Sequence, residues 1–242
     1  MTVILAADTT TSINSVAVCR GPQLLAESVV DCQRLHSERL LATVEWVLQE
    51  AQLTLGDVEL LAISIGPGSF TGLRIGAATW KGLALGRQLP LMGVPTLDAM
   101  TRLGLFDNAV VCPLLDARMR EVFGALYRFR SGQREKIGPD RVCPVEDLAG
   151  EAVKTAAEEN VPLWFFGDGA LVYRERIIAR APEAHFAPAW WGVPRASAVA
   201  AEALAMRERG ITADAAHVSP VYLRMSQPEE KRARHAGSVQ HE

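Results

Sequence analysis

One order of elements runs through this chain twice, and it constrains the fold more than any single residue does. Residues 3–7, 15–19 and 24–30 are short β-prone runs separated by the turn 8–14 and by Gly21-Pro22, which predicts an antiparallel meander. Between 37 and 52 the apolar residues Leu40, Leu41, Val44, Val47, Leu48 and Ala51 recur at helical spacing, with Glu38, Arg39, Glu45 and Gln49 elsewhere on the cylinder. Residues 58–65 then form a nearly continuous apolar run ending at Gly66, as a buried strand does, and a helix over 73–87 follows the glycine turn. A run at 91–94 and a helical stretch at 96–103 lead to the second copy. There, 110–115 closes on Asp116, 121–129 follows, a turn at Ser131-Gly132 leads to 136–142, and a helix covers 145–159. A strand at 163–166 ends at Gly167, and a helix over 170–180 completes the unit. Asp8 and Asp116 hold the same place in the two copies, as do G-P-G at 66–68 and G-D-G at 167–169. This reads as an internal duplication of a βββαβα unit. It predicts an α/β protein of two lobes, residues 1–105 and 106–226, with a last helix over 196–208 and a strand or extended segment at 220–224. Residues 227–242 carry almost no apolar side chains and are expected to form a flexible tail.

Composition fits two such lobes. The chain has 242 residues, 49% of them hydrophobic and 22% charged, enough apolar material for a core in each lobe. A formal charge of −3 supplies no global field that would draw the chain onto a nucleic-acid backbone. The segment with a local basic excess lies between Arg118 and Arg141, where Arg120, Arg128, Arg130, Arg134 and Lys136 accompany them against Glu121, Glu135 and Asp140. That excess suits either a phosphate contact or a solvated hairpin face. Cys19, Cys32, Cys112 and Cys143 are isolated, which fits buried thiols in a reducing compartment. No stretch approaches the roughly 20 apolar residues of a membrane helix, so a cytoplasmic location is expected.

The segment GPGSFTGLRIG, 66–76, is the most informative stretch for chemistry. Gly66, Gly68 and Gly72 permit left-handed backbone, and a helix beginning near Gly72 would aim free N–H groups and its positive end into the turn around Ser69 and Thr71. An anion or a partner's backbone could dock there, or the glycines could serve packing alone. The spacing is that of neither a Walker A loop nor the dinucleotide fingerprint. Asp8, followed by Thr9 and Thr10, could close its hairpin as an Asx-turn residue or face a phosphate-bound cation.

Two lobes that each open with a meander and an aspartate turn resemble the RNase H-like fold of the actin, Hsp70 and sugar-kinase superfamily. That resemblance implies ATP phosphates between the lobes, with Asp8, Thr9 and Thr10 in the first phosphate turn and Gly66, Gly68, Gly167 and Gly169 in the others. Within the superfamily, GPGSFTGLRIG with WKGLALG at 80–86, LLDARMREVFGALY at 114–127, FFGDGALVY at 165–173 and PVYLR at 220–224 resemble the TsaB (YeaZ) family. The likeness runs in the family's order from Val3 to Arg224.

Membership would imply a non-catalytic dimerization subunit of a bacterial complex. That complex places a threonylcarbamoyl group on N6 of the adenosine beside the anticodon of tRNAs reading ANN codons. In that family a related partner, TsaD, carries the metal site on a first-helix pair H-x-x-x-H. Here that stretch reads His36-Ser37-Glu38-Arg39-Leu40, so the i, i+4 pair is absent, and neither a metal nor a cofactor is expected of this chain. ATP or ADP has a place in the assembled complex, and the alternative reading is a nucleotide-binding phosphotransferase using Asp8 and the glycine turns. The implied partners are TsaD, the ATPase TsaE and, through the complex, tRNA. A surface kept for a related partner leaves room for a homodimer when the chain is free, through helices the sequence does not fix. The resemblance puts the contact on the first lobe's two helices, at Leu40, Leu41, Val44, Gly72, Leu73, Gly76, Ala77, Trp80 and Leu83. A bulky residue at Gly76 should then weaken partner binding and leave the monomer folded. No Ser-His-Asp or Cys-His set can be argued from the sequence.

Overall fold

A computed structural model describes residues 1–32, 36–104 and 106–224, apart from the side chains of His36 and Leu103. The first sheet begins with β1 (Val3–Asp8), β2 (Ile13–Arg20) and β3 (Gln23–Asp31), an antiparallel meander. Helix α1 (His36–Glu50) leads to β4 (Leu60–Gly66), and α2 (Phe70–Arg87) leads to β5 (Leu91–Pro95). Strands β1, β4 and β5 are mutually parallel, and the order is β3-β2-β1-β4-β5. Every residue of β1 is buried, as its unbroken apolar run requires of a central strand covered on both faces.

Helix α3 (Thr96–Met100) and a 3-10 turn (Thr101–Leu103) bridge to the second sheet. Its meander is β6 (Ala109–Arg118), β7 (Glu121–Arg130) and β8 (Gln133–Pro144). It is followed by α4 (Val145–Glu159), β9 (Leu163–Phe166), α5 (Asp168–Val172), α6 (Arg174–Arg180) and the two-residue β10 (His185–Phe186). The order is β8-β7-β6-β9-β10, so the strands at corresponding places in the two units are neighbours in the same way.

Several details refine the sequence reading. Helix α2 starts at Phe70, three residues earlier than expected, because the Ser69 hydroxyl accepts a bond from Gly72 N–H and caps it. The expected helix over 170–180 is two short helices, broken where the Tyr173 backbone leaves helical geometry and its hydroxyl donates to Asp116. Strand β10 and the 3-10 turn Ala189–Gly192 were not anticipated. Of the strand or extended segment expected at 220–224 the strand is absent, and Val221 N–H donates to Ile65 O at 2.7 Å. The expected tail, 227–242, lies outside the described residues.

The cores explain how the two units meet. Leu40, Val44, Val47 and Leu48 of α1 and Trp80 and Ala84 of α2 cover one face of the first sheet. The opposite face is covered by α7 (Ala196–Glu208), a helix that follows the second sheet in the chain. Its Ala196, Val199, Ala200 and Ala203 pack on Ile4, Ala6, Leu60 and Ala62, small side chains allowing a close approach. Leu97 and Met100 of α3 join Val111, Leu115, Phe123 and Tyr127 of the second sheet in another core.

Candidate functional site

The turn after β1 and the start of α2 are packed against each other. Asp8, 1% exposed, accepts bonds from Thr10 N–H at 2.9 Å, from the Thr10 hydroxyl at 2.7 Å and from the Ser64 hydroxyl, so its carboxylate closes the hairpin as an Asx turn. The Thr9 hydroxyl donates to Gly72 O at 2.8 Å, and Thr10 O accepts from Ser69 N–H at 2.6 Å. At this helix N-terminus the Ser69 N–H is therefore taken by Thr10 O and the Gly72 N–H by the Ser69 hydroxyl, while Thr9 binds the Gly72 carbonyl. Close approach explains the glycines: a Cβ at Gly72 would lie 1.9 Å from Thr9 O, and one at Gly68 would lie 2.6 Å from Thr10 O. Gly66 is buried beneath Val221, while Ser69 and Thr71 are exposed.

The corresponding turn of the second unit is built alike. A Cβ at Gly167 would lie 2.0 Å from Leu114 O, and Gly169 abuts the backbone of Leu115 and Asp116. Asp168 Oδ1 accepts from Asp116 N–H at 3.0 Å, and Asp116 accepts from the Tyr173 hydroxyl at 2.9 Å.

The helices expected to form a docking surface point most of the named residues inward. Leu40, Val44, Gly72, Leu73, Gly76, Ala77 and Trp80 are buried within the chain, Leu83 is half-buried, and Leu41 is 51% exposed. Gly76 packs with a would-be Cβ 2.4 Å from the Thr9 hydroxyl, so a bulky residue there would disturb the monomer itself. This corrects the expectation that the monomer would tolerate it. The outward faces instead hold Leu41, Ala42 and Trp46 (48% exposed) on α1, and Ala78, Gly82, Leu85 (75% exposed) and Gly86 on α2. Helical phase was the available signal, because Trp46 and Leu85 lie off the stripes that Val44, Val47 and Leu48 and Leu73, Trp80 and Ala84 define.

With this geometry the chain has clear relatives. A family model described as TsaD: tRNA N6-adenosine threonylcarbamoyltransferase matches residues 30–229. The Bacillus subtilis protein named tRNA threonylcarbamoyladenosine biosynthesis protein TsaB is 28% identical over 174 residues, 72% of this chain and 74% of its own. The Escherichia coli protein of the same name is 42% identical over 127 residues, 52% of this chain and 54% of its own. The match thus spans about half the length of the Escherichia coli relative. YeaZ from Pseudomonas aeruginosa superposes with a TM-score of 0.79 at 31% identity, over 92% of this chain and 100% of that one.

The chain belongs to the TsaB (YeaZ) family.

A Thermus thermophilus ROK hexokinase, with a TM-score of 0.51 at 12% identity, shares the sugar-kinase type of fold alone. For this TsaB-family chain, the described residues contain no group of three His, Cys, Asp or Glu side chains close enough to hold a metal ion. His217 Nδ1 pairs with Asp214 at 2.7 Å on the surface, and His185 stacks on Trp164. The side chain of His36, and His235 and His241, fall outside what is described. Cys19, Cys32 and Cys112 are buried; burial, then the charge of Glu27, pushes the Cys19 thiol up to about 12, which keeps it protonated and unreactive.

The basic excess of 118–141 is largely absorbed within the chain. Arg128 pairs with Glu135 and Glu159, Arg130 with Glu159, Arg134 with Glu202, Lys136 with Asp98 and Asp140, and Arg141 with Glu151. Arg118 and Arg120 remain exposed at the tip of the β6–β7 hairpin.

Proposed function

We propose that this chain is a non-catalytic, partner-binding subunit in threonylcarbamoyladenosine biosynthesis. It acts in a cytoplasmic complex that places a threonylcarbamoyl group on N6 of the adenosine beside the anticodon of tRNAs reading ANN codons. Its partner is the catalytic subunit TsaD, and the pair recruits the ATPase TsaE. The observation that carries this reading is the mutual packing of the turn 8–10 and the start of α2. Asp8 is spent on Thr10 and Ser64, and the backbone that would cradle a phosphate at Ser69 and Gly72 is bonded to Thr10 and Ser69. Family names support the pathway, since the TsaB relatives are named for this biosynthesis. Kinship with the TsaD family model suits a pair of related subunits docking through like surfaces.

The docking face is the outward side of α1 and α2, where Leu41, Trp46 and Leu85 supply apolar area and Ala78, Gly82 and Gly86 let another helix approach. The test is reconstitution. The purified chain alone should neither hydrolyse ATP nor modify tRNA, whereas its addition to TsaD and TsaE should restore modification. Leu85→Glu should weaken pairing with TsaD by about tenfold or more, with an unchanged melting temperature. Hydrolysis by the lone chain, abolished by Asp8→Asn, would establish the phosphotransferase reading instead.

A further inference from the structure

The segment 218–224 begins on the first unit and ends on the second. Val218 is buried in the core of the first sheet, with Leu61 and Ile63. Val221 N–H donates to Ile65 O at 2.7 Å, near the end of β4, and the Val221 carbonyl fills the place that a Cβ on Gly66 would need. The Tyr222 ring is 4.7 Å from Phe70 of α2, and its hydroxyl accepts from Arg74 at 3.2 Å. Leu223, the next residue, packs instead on the core that contains Leu115, Phe123 and Phe166 of the second sheet. Arg224 donates to Ala117 O at 2.8 Å and to the Met119 sulfur at 3.1 Å, and it pairs with Glu121 at 3.1 Å. Its guanidinium thus holds both strands of the β6–β7 hairpin.

A single peptide link separates the last residue held by the first unit from the first residue held by the second. Three links join Val221 to Arg224, and at about 3.8 Å per link the segment reaches at most about 11 Å. While both ends stay bonded, the ends of β4 and β6 cannot separate beyond that reach. Two lobes joined by short connections move against each other by default, unless a large apolar interface prevents it. Val221 and Tyr222 remain 44% and 41% exposed, so the segment adds little to either core, and what it supplies is a set of directed bonds to each side. We propose that residues 221–224 clasp the two units together, fixing the angle between them and covering the turn at Gly66. With the clasp closed, the α1–α2 face and the β6–β7 hairpin keep one relative placement.

The test is a distance measurement on the full chain by electron spin resonance. Labels sit on Glu45→Cys of α1 and Lys154→Cys of α4, both exposed sites, with the half-buried Cys143 changed to serine. With the clasp intact, one narrow distance is expected. Val221→Pro removes the N–H that makes the first anchor, and Arg224→Ala removes the second. Each should widen or lengthen the distance by several ångström. Because the anchors act in series on one strap, the double variant should open no further than either single variant. Hydrogen exchange in β1 and β6 should stay slow in all of them, since each sheet keeps its own core. A broad distance with the clasp intact would overturn the inference, as would a narrow one unchanged in both variants. Widening that adds up in the double variant would mean two independent contacts in place of one strap, and would overturn it too. Faster exchange in β1 or β6 without a change of distance would assign the segment to folding and overturn it. No partner protein enters the measurement, so the reading of the chain as a partner-binding subunit stands or falls separately.

Discussion

Gly72 and Gly82 lie on the same helix, yet a methyl group at 72 would sit 1.9 Å from Thr9 O, while at 82 it would meet nothing within 4 Å. The first glycine lets α2 rest on the turn after β1, and the second leaves an open spot on the outward face. Gly72→Ala should therefore destabilise the fold by about 3 kcal/mol, because the obstacle is backbone and yields little. Gly82→Ala should stabilise it by roughly 0.5–1 kcal/mol through helix propensity. Urea denaturation of both variants checks this, and similar midpoints would mean that the close packing of α2 on Thr9 is wrong. The small-residue pattern of α2 was plain in the sequence, but which glycines face inward depends on the helix phase and on a turn more than sixty residues earlier.

Among the elements, α7 links the two units. It follows the second sheet yet covers the first, and its fully buried Glu202 takes Arg102 at 2.6 Å, Arg134 of β8 at 2.8 Å and Arg209 at 3.1 Å. Arg134 also donates to Asp98 O at 2.6 Å and to Thr101 at 2.8 Å, and Lys136 pairs with Asp98 at 2.8 Å. These bonds tie the edge of the second sheet to α3 and α7. Glu202→Ala would leave the nearly buried Arg134 without its carboxylate and should cost about 3–5 kcal/mol. The double variant with Arg134→Ala should lose less than the sum of the two single losses, since the charges are removed together. Additive losses in chemical denaturation would show that the pair is uncoupled. Apart from Glu202 and Arg209, which are 7 positions apart, the paired members lie about 30–100 positions apart, so the network could not be assigned from sequence.

For the molecule as a whole, titrating groups bound the pH range of stability from both sides. The bond from Arg128 to Glu159, and at Glu146 its own backbone amide together with Arg176, hold these two carboxyls below their ordinary value of 4.5. Their contribution is present above the unfolded value and is lost as pH falls through the lower folded values. At the other end, burial raises Cys19 from 9.0 to about 12, so between those values the unfolded chain releases a proton that the folded chain keeps, and stability falls as pH rises. Cys19→Ala should flatten that alkaline limb, and Arg128→Ala should flatten the acid limb, in denaturation midpoints followed against pH. The sequence by itself determined the duplicated βββαβα plan, the turns that follow its strands and the family likeness. These rest on local periodicity, turn chemistry and motif order, which are written along the chain. Only the tertiary structure decided that the turn 8–10 meets the start of α2, that α7 returns to the first sheet, that most of the basic segment is neutralised, and that Leu41, Trp46, Leu85 and Met119 are left outside. Each of these is set by which distant surfaces pack together, and one strand or helix carries no record of its partner.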